Sequence, residues 1–357
     1  MVRIVSVAPV LPEHVHPQSQ ITATIAPLLT SDPRRQATIA KIHAATGVRT
    51  RHTALPLEAY AGLTSFTAAN AAFVREGTLL AAEACRRALA AAGLHAADVD
   101  YLLFTSVTGI ATPSIDALLV ERLGLRSDVK RVPSFGLGCV AGAAGIARVR
   151  DHLVGHPQDV ALLVSVELCS LTLQHGDDSM ANIVSSGLFG DGAAAVVMLG
   201  SDRAAGAPGV DVVDSRSALY PGTADALGWE IGASGFSIVL AAGLADVVEE
   251  RLGDDVGDLL TAHHLKVSDV GTWVAHTGGP RILQAATRAL ELSDDAFAAS
   301  WRSLARVGNL SSSGVLHVLA DELRTGGQLP GSAGVLFAIG PGVCTETVLL
   351  RWPTEAR

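Results

Sequence analysis

The chain reads as a layered α/β fold made of two fused halves. Three observations predict this. Short apolar runs rich in β-branched residues alternate with helical patterns along most of the sequence. The alternation resumes after one turn-rich break, Gly200-Ser-Asp-Arg-Ala-Ala-Gly-Ala-Pro-Gly209. With 357 residues, 49% of them apolar, the chain is long enough for two sizeable cores. The halves divide as 1–205 and 206–357. In order, Met1–Ala8 alternates like a first strand, and Glu76–Ala92 is a helix stopped by Gly93. Val99–Thr108, Asp159–Leu168 and Ala193–Leu199 are buried strands, and Val140–Val154 is a helix between the first two. Beyond the break, Phe236–Leu252 and Pro280–Leu290 are expected to be helices, with a short strand Trp273–Ala275 between them. Gly334–Ile339 and Thr345–Trp352 close the chain as a strand pair around Gly340-Pro-Gly342. Two similar halves facing each other would bring distant residues into one central cleft.

Composition narrows the function. A net charge of −9, with Lys and Arg scattered, argues against a nucleic-acid partner. No stretch reads as a membrane span, which needs roughly 20 predominantly apolar residues. The charge-free stretches 132–147 and 325–345 are interrupted by glycine. The four cysteines, Cys85, Cys139, Cys169 and Cys344, form no CxxC pair. That pattern predicts a reducing, cytoplasmic setting and no zinc ribbon.

Three polar residues stand in settings suited to chemistry. Cys139 lies in Gly136-Leu-Gly-Cys-Val-Ala-Gly142, a glycine bend entering a helix. There the positive end of the helix dipole is expected to lower the thiol pKa. His276, in Ala275-His-Thr-Gly-Gly-Pro280, is delivered by a strand to a Gly278-Gly279 turn, with Pro280 opening the next helix. Asn309, in Gly308-Asn-Leu-Ser-Ser-Ser-Gly314, sits on a loop that caps a further helix. The pair His263-His264 reads as surface.

In this order, together with Leu188-Phe-Gly-Asp-Gly-Ala-Ala194 and Gly340-Pro-Gly342, these motifs resemble the type III polyketide synthases, the chalcone-synthase-like branch of the thiolase fold. The resemblance runs over nearly the whole chain and implies a thiolase-like αβαβα architecture. It also implies a homodimer, acyl-CoA and malonyl-CoA as substrates, and no cofactor or metal. It places the catalytic Cys on Cys139, the His on His276 and the Asn on Asn309. Its two gatekeeping phenylalanines fall on Phe189 and Phe236, and Lys41 fits the CoA-phosphate cluster best, with Arg49 and Arg51 as further candidates. Thr112 stands where plant members carry a Met that crosses the dimer interface, and Thr277 replaces the usual Pro after the His.

The implied reaction is decarboxylative condensation on a Cys-bound acyl group. Competing readings are an initiating β-ketoacyl-ACP synthase, whose His motif continues differently, a non-catalytic partner subunit, and a thioesterase. For the starter, the small side chains of Cys169, Thr172 and Thr112 suggest an apolar tunnel for a fatty acyl group and an alkylresorcinol or alkylpyrone product. The alternatives are a malonyl-only tetrahydroxynaphthalene-type or a dihydroxyphenylacetyl-type synthase.

Overall fold

A computed structural model describes residues 1–354. Nine strands form one hydrogen-bonded sheet in the order Val270–Ala275, Ala333–Gly340, Cys344–Arg351, Val210–Leu219, Val2–Val10, Asp191–Leu199, Val160–Leu168, Tyr101–Thr105 and Lys130–Ser134. The two halves repeat one pattern. In each, a long first strand pairs antiparallel with the half's last strand (Val2–Val10 with Asp191–Leu199, Val210–Leu219 with Cys344–Arg351). That last strand pairs antiparallel with its predecessor, which then takes a parallel neighbour. The two first strands meet antiparallel at the centre.

Strand alternation sorts side chains into three apolar clusters. In Val160–Leu168, where every residue is buried, Leu162, Val164 and Val166 face one cluster while Ala161 and Leu163 face another. The cluster around Leu162 holds the long helix Phe66–Ala92. A second cluster, around Val335 and Phe337, holds Leu244–Ala262 and Pro280–Ala289. Between them lies the third, which takes strand faces from both halves and the helices Ala141–Gly155 and Ser312–Thr325. The two halves of the sheet thus alternate with three helical layers, helix, sheet, helix, sheet and helix, as the family resemblance implied.

The two middle helices approach so closely that glycine is required. A Cβ on Gly142 would fall 2.2 Å from the Ser312 carbonyl oxygen and 2.8 Å from a Val315 methyl. Backbone groups at such range cannot yield as a side chain can.

One expected element is different. Phe236–Leu252 is not a single helix: Gly235–Leu240 is a strand, paired antiparallel with Leu227–Gly232, and the helix begins at Leu244. The run Phe236-Ser-Ile-Val-Leu240 fits either period over so few residues, and its β-branched residues favour the strand. Gly235, at φ +106°, sits at the hairpin turn. The pair His263-His264 is not wholly surface either. His263 is half-buried, its Nε2 2.8 Å from Asp214 Oδ2.

The middle layer yields a stability prediction. Gly142→Ala should destabilise the protein by about 1–3 kcal/mol through overpacking. Gly257→Ala, inside Leu244–Ala262 with open space at its Cβ, should stabilise it by about 0.5–1 kcal/mol. Thermal or urea midpoints of the two variants, measured side by side, check the opposite signs.

Candidate active site

The strand Lys130–Ser134 ends where the chain turns through Gly136 and Gly138, both at positive φ, into the helix Ala141–Gly155. Cys139 lies in the short turn Gly138–Val140 just before that helix. A Cβ on Gly138 would meet Pro341 at 2.5 Å, so the Gly340-Pro-Gly342 hairpin forms the wall behind the Cys139 loop. The Cys139 thiol points to Ser311 Oγ at 3.6 Å. Ser311 Oγ in turn donates to Glu167 Oε1 at 3.3 Å.

Glu167 is buried at the seam of the two halves and fully engaged. Oε2 accepts from Thr108 Oγ1 at 2.9 Å, the Val107 N–H at 3.1 Å and Ser106 Oγ at 3.3 Å. Its other oxygen accepts from Ser311 and Ser312. Burial pushes this carboxyl above the usual range, and the hydroxyl and amide donors pull it back.

The loop bearing Asn309 is built from both halves. Asn309 N–H donates to the Leu188 carbonyl and Gly190 N–H to the Asn309 carbonyl, each at 2.9 Å, making a parallel bridge between Phe189 and Asn309. Gly308, at φ +75°, is obligatory, since a Cβ there would strike the Leu188 carbonyl at 2.6 Å. The Asn309 Oδ1 accepts from the Ser311 N–H at 2.8 Å, which leaves its amide nitrogen as the group free to donate. Ser311 holds φ +48°, a conformation costing on the order of 1–3 kcal/mol, and this turn directs its hydroxyl toward Cys139 and Glu167.

His276 extends the strand Val270–Ala275, its N–H bonding the Phe337 carbonyl at 3.0 Å. The ring is buried, with Gly314 packed beneath it, and neither Nδ1 nor Nε2 finds a partner among the described residues. Thr277 Oγ1, its neighbour, is also unpartnered. Buried polar atoms are ordinarily satisfied, so this cluster marks a place for a ligand oxygen. Burial lowers the imidazole to about 4 and, with the Glu167 carboxylate adding to it, pushes the Cys139 thiol up to about 12. The direction is opposite to the one the helix start suggests: desolvation and the Glu167 carboxylate raise the thiol, while the Ser311 contact lowers it.

The remaining candidates separate. Phe189, Cys169 and Thr172 line a cavity of about 40 Å³ with Arg51, Tyr60, Ser170 and Trp229. Phe236 is buried in an aromatic cluster, edge-on to Phe66 at 5.6 Å and to Trp229 at 6.2 Å. Gly278 and Gly279 make the turn after His276. Gly279, at φ +118°, lies against Leu188. Lys41, exposed on the last turn of Pro33–Ala44, stands outside the cavity. Thr112 is exposed on a surface loop, so within one chain it lines no tunnel. Arg51 is not a surface phosphate ligand. It is buried, donating to Phe189 O at 2.6 Å and Gln18 Oε1 at 2.9 Å.

Sequence reasoning missed Glu167, Ser311 and Trp229, and gave Arg51 a different role. Glu167 and Trp229 carried no motif signal, and the Ser run was read only as a cap. A titration tests the Glu167–Cys139 coupling. Glu167→Gln removes the carboxylate that raises the thiol, so the inflection in the pH dependence of Cys139 alkylation should move to lower pH. Iodoacetamide rates followed by peptide mapping read it, and an unmoved inflection would show that the carboxylate does not act on the thiol.

Comparison with known proteins bears on this arrangement. Residues 1–203 match the chalcone and stilbene synthase N-terminal domain, and residues 211–353 the C-terminal domain. A 1,3,6,8-tetrahydroxynaphthalene synthase of Streptomyces peucetius subsp. caesius is 54% identical over 98% of this chain and 93% of its own length. An alpha-pyrone synthesis polyketide synthase-like protein of Mycobacterium tuberculosis is 33% identical over 78% of this chain and 71% of its own. The crystal structure of 1,3,6,8-tetrahydroxynaphthalene synthase from Streptomyces coelicolor A3(2), a bacterial type III polyketide synthase, superposes with a TM-score of 0.92. It is 32% identical and covers 99% of this chain and 100% of that one. No helix of the described residues is long and apolar enough to cross a membrane. With its fold, its two domains and its motifs in agreement, the chain belongs to the chalcone and stilbene synthase family, the type III polyketide synthases of the thiolase fold, acyltransferases that form carbon–carbon bonds.

Proposed function

We propose that this chain condenses malonyl-CoA alone, serving as both starter and extender, to a tetrahydroxynaphthalene-type product. The observation that carries the reading is the 54% identity, over nearly both full lengths, to a tetrahydroxynaphthalene synthase.

The Cys139 thiol exchanges with the thioester, leaving malonyl on sulfur and releasing CoA–SH. A second malonyl-CoA loses CO₂, and its electron pair moves onto the thioester oxygen as an enolate. The neutral His276 ring and the free Asn309 amide donate to that oxygen, in the manner of an oxyanion hole. The enolate carbon attacks the Cys-bound carbonyl, forming the new carbon–carbon bond and returning the sulfur, which takes up a proton. Phe189 and Phe236 exclude water from the carbanion. No metal, nicotinamide or flavin enters the sequence. Lys41 offers a cation for CoA phosphate at the surface. A homodimer fits the edge strand Lys130–Ser134, where Val132 and, just beyond the strand, Phe135 and Leu137 are exposed. Four unpaired thiols fit a cytoplasmic setting.

Two measurements test the reading. Asn309→Ala should slow malonyl-CoA decarboxylation by ~10²–10³ while changing acyl loading of Cys139 little. Equal losses in both would make Asn309 a loop residue only. Incubation with malonyl-CoA and a ladder of starter acyl-CoAs, followed by mass spectrometry, should give the same product with or without added starter. Turnover that rises with starter chain length would favour an alkylpyrone or alkylresorcinol synthase instead.

A further inference from the structure

We propose that His152, His156 and Asp159 form a binding site for a first-row divalent metal ion of the zinc class, at the end of the molecule's middle helix away from the catalytic loop. The helix Ala141–Gly155 carries His152 in its last turn, and His156, four residues on, is its capping residue. At this spacing the two rings lie over the same helix face, stacked with centroids 4.2 Å apart. Asp159 comes from the turn leading into the strand Val160–Leu168, its Oδ2 2.9 Å from His152 Nε2. One donor atom from each residue lies within 4.8 Å of the other two.

Three features suit a cation. The His156 Nδ1 lies 3.0 Å from the His152 carbonyl, which accepts its N–H and so leaves Nε2 with a free lone pair, the arrangement typical of a metal-bound imidazole. The helix ends here, and the negative end of its dipole favours positive charge. Two imidazoles and one carboxylate are a zinc-type donor set, with a water completing four-coordination. Donors around a tetrahedral zinc stand ~3.3 Å apart, given bond lengths of ~2.0–2.1 Å. The widest pair must therefore close by ~1.5 Å at most, while the His152–Asp159 pair, 2.9 Å apart and joined by a proton, opens by ~0.4 Å and gives that proton up to solvent as the ion binds. The exposed His156 ring can tilt out of its stack to do so, while His152 is held in place by Tyr101, stacked on its other side at 4.0 Å.

The site clamps the turn between the helix and the strand whose far ends carry Cys139 and Glu167, so its effect is on stability rather than on the chemistry. Tag-free protein, stripped with chelator and titrated with Co²⁺ and then Zn²⁺, should bind one equivalent. Co²⁺ should give the visible absorption of a tetrahedral ion, and Zn²⁺ should displace it. His156→Ala, an exposed substitution, and Asp159→Asn should each weaken binding at least tenfold and abolish the rise in thermal midpoint that Zn²⁺ gives the wild type. Cys139→Ser should bind as the wild type does. Absence of one-equivalent binding, or undiminished affinity in both His156→Ala and Asp159→Asn, overturns the proposal. Loss of binding in Cys139→Ser would place the ion on the catalytic thiol and overturn it equally.

Discussion

The site depends on a carboxylate that has to be buried. Glu167 sits at the seam of the two halves, where an unpaired charge would cost several kcal/mol, and five hydrogen bonds reach it from both sides. Ser106, Val107 and Thr108 come from one half, Ser311 and Ser312 from the other. Satisfying this one group therefore draws the loop after Asn309 onto the strand Val160–Leu168. Ser311, twisted to a positive φ, then stands between Glu167 and the Cys139 thiol.

A second tie works through the backbone. Leu188, Phe189 and Gly190 pair with Asn309, and Arg51 holds the Phe189 carbonyl from behind. Arg51 is desolvated, which lowers its pKa to about 10, while the nearby Asp191 carboxylate counters that shift. Asp191 is itself fixed by the Ala54 and Ser170 amides. The aromatic wall and the Asn309 amide are thus positioned by one buried polar frame. This explains why Gly308 and Gly190 tolerate no side chain: a Cβ at either would strike a carbonyl oxygen of the opposite segment.

The free site rests in neutral form. The Cys139 thiol is raised and the buried His276 imidazole lowered, so both stand uncharged near neutral pH. Neutral imidazole is a competent donor to a developing oxyanion, and burial of the ring strengthens that bond. Both His276 nitrogens are left without a protein partner among the described residues.

The sequence by itself determined the layered halves and most strand and helix positions, and it singled out Cys139, His276 and Asn309 as the candidates for the site. These rest on local signals: apolar runs, glycine bends, and loops that end strands or open helices. Gly142 and Gly308 were visible as glycines, yet the contacts that demand them lie 170 and 120 residues away. The tertiary structure alone decided the rest. It made 235–240 a strand because a partner strand was there to receive it, and it buried Arg51, which the family resemblance offered for the CoA-phosphate cluster. It also left Thr112 on the surface and raised the Cys139 thiol where a helix start predicts the opposite. Burial and long-range electrostatics depend on which segments meet across the fold, and one-dimensional spacing carries no record of that.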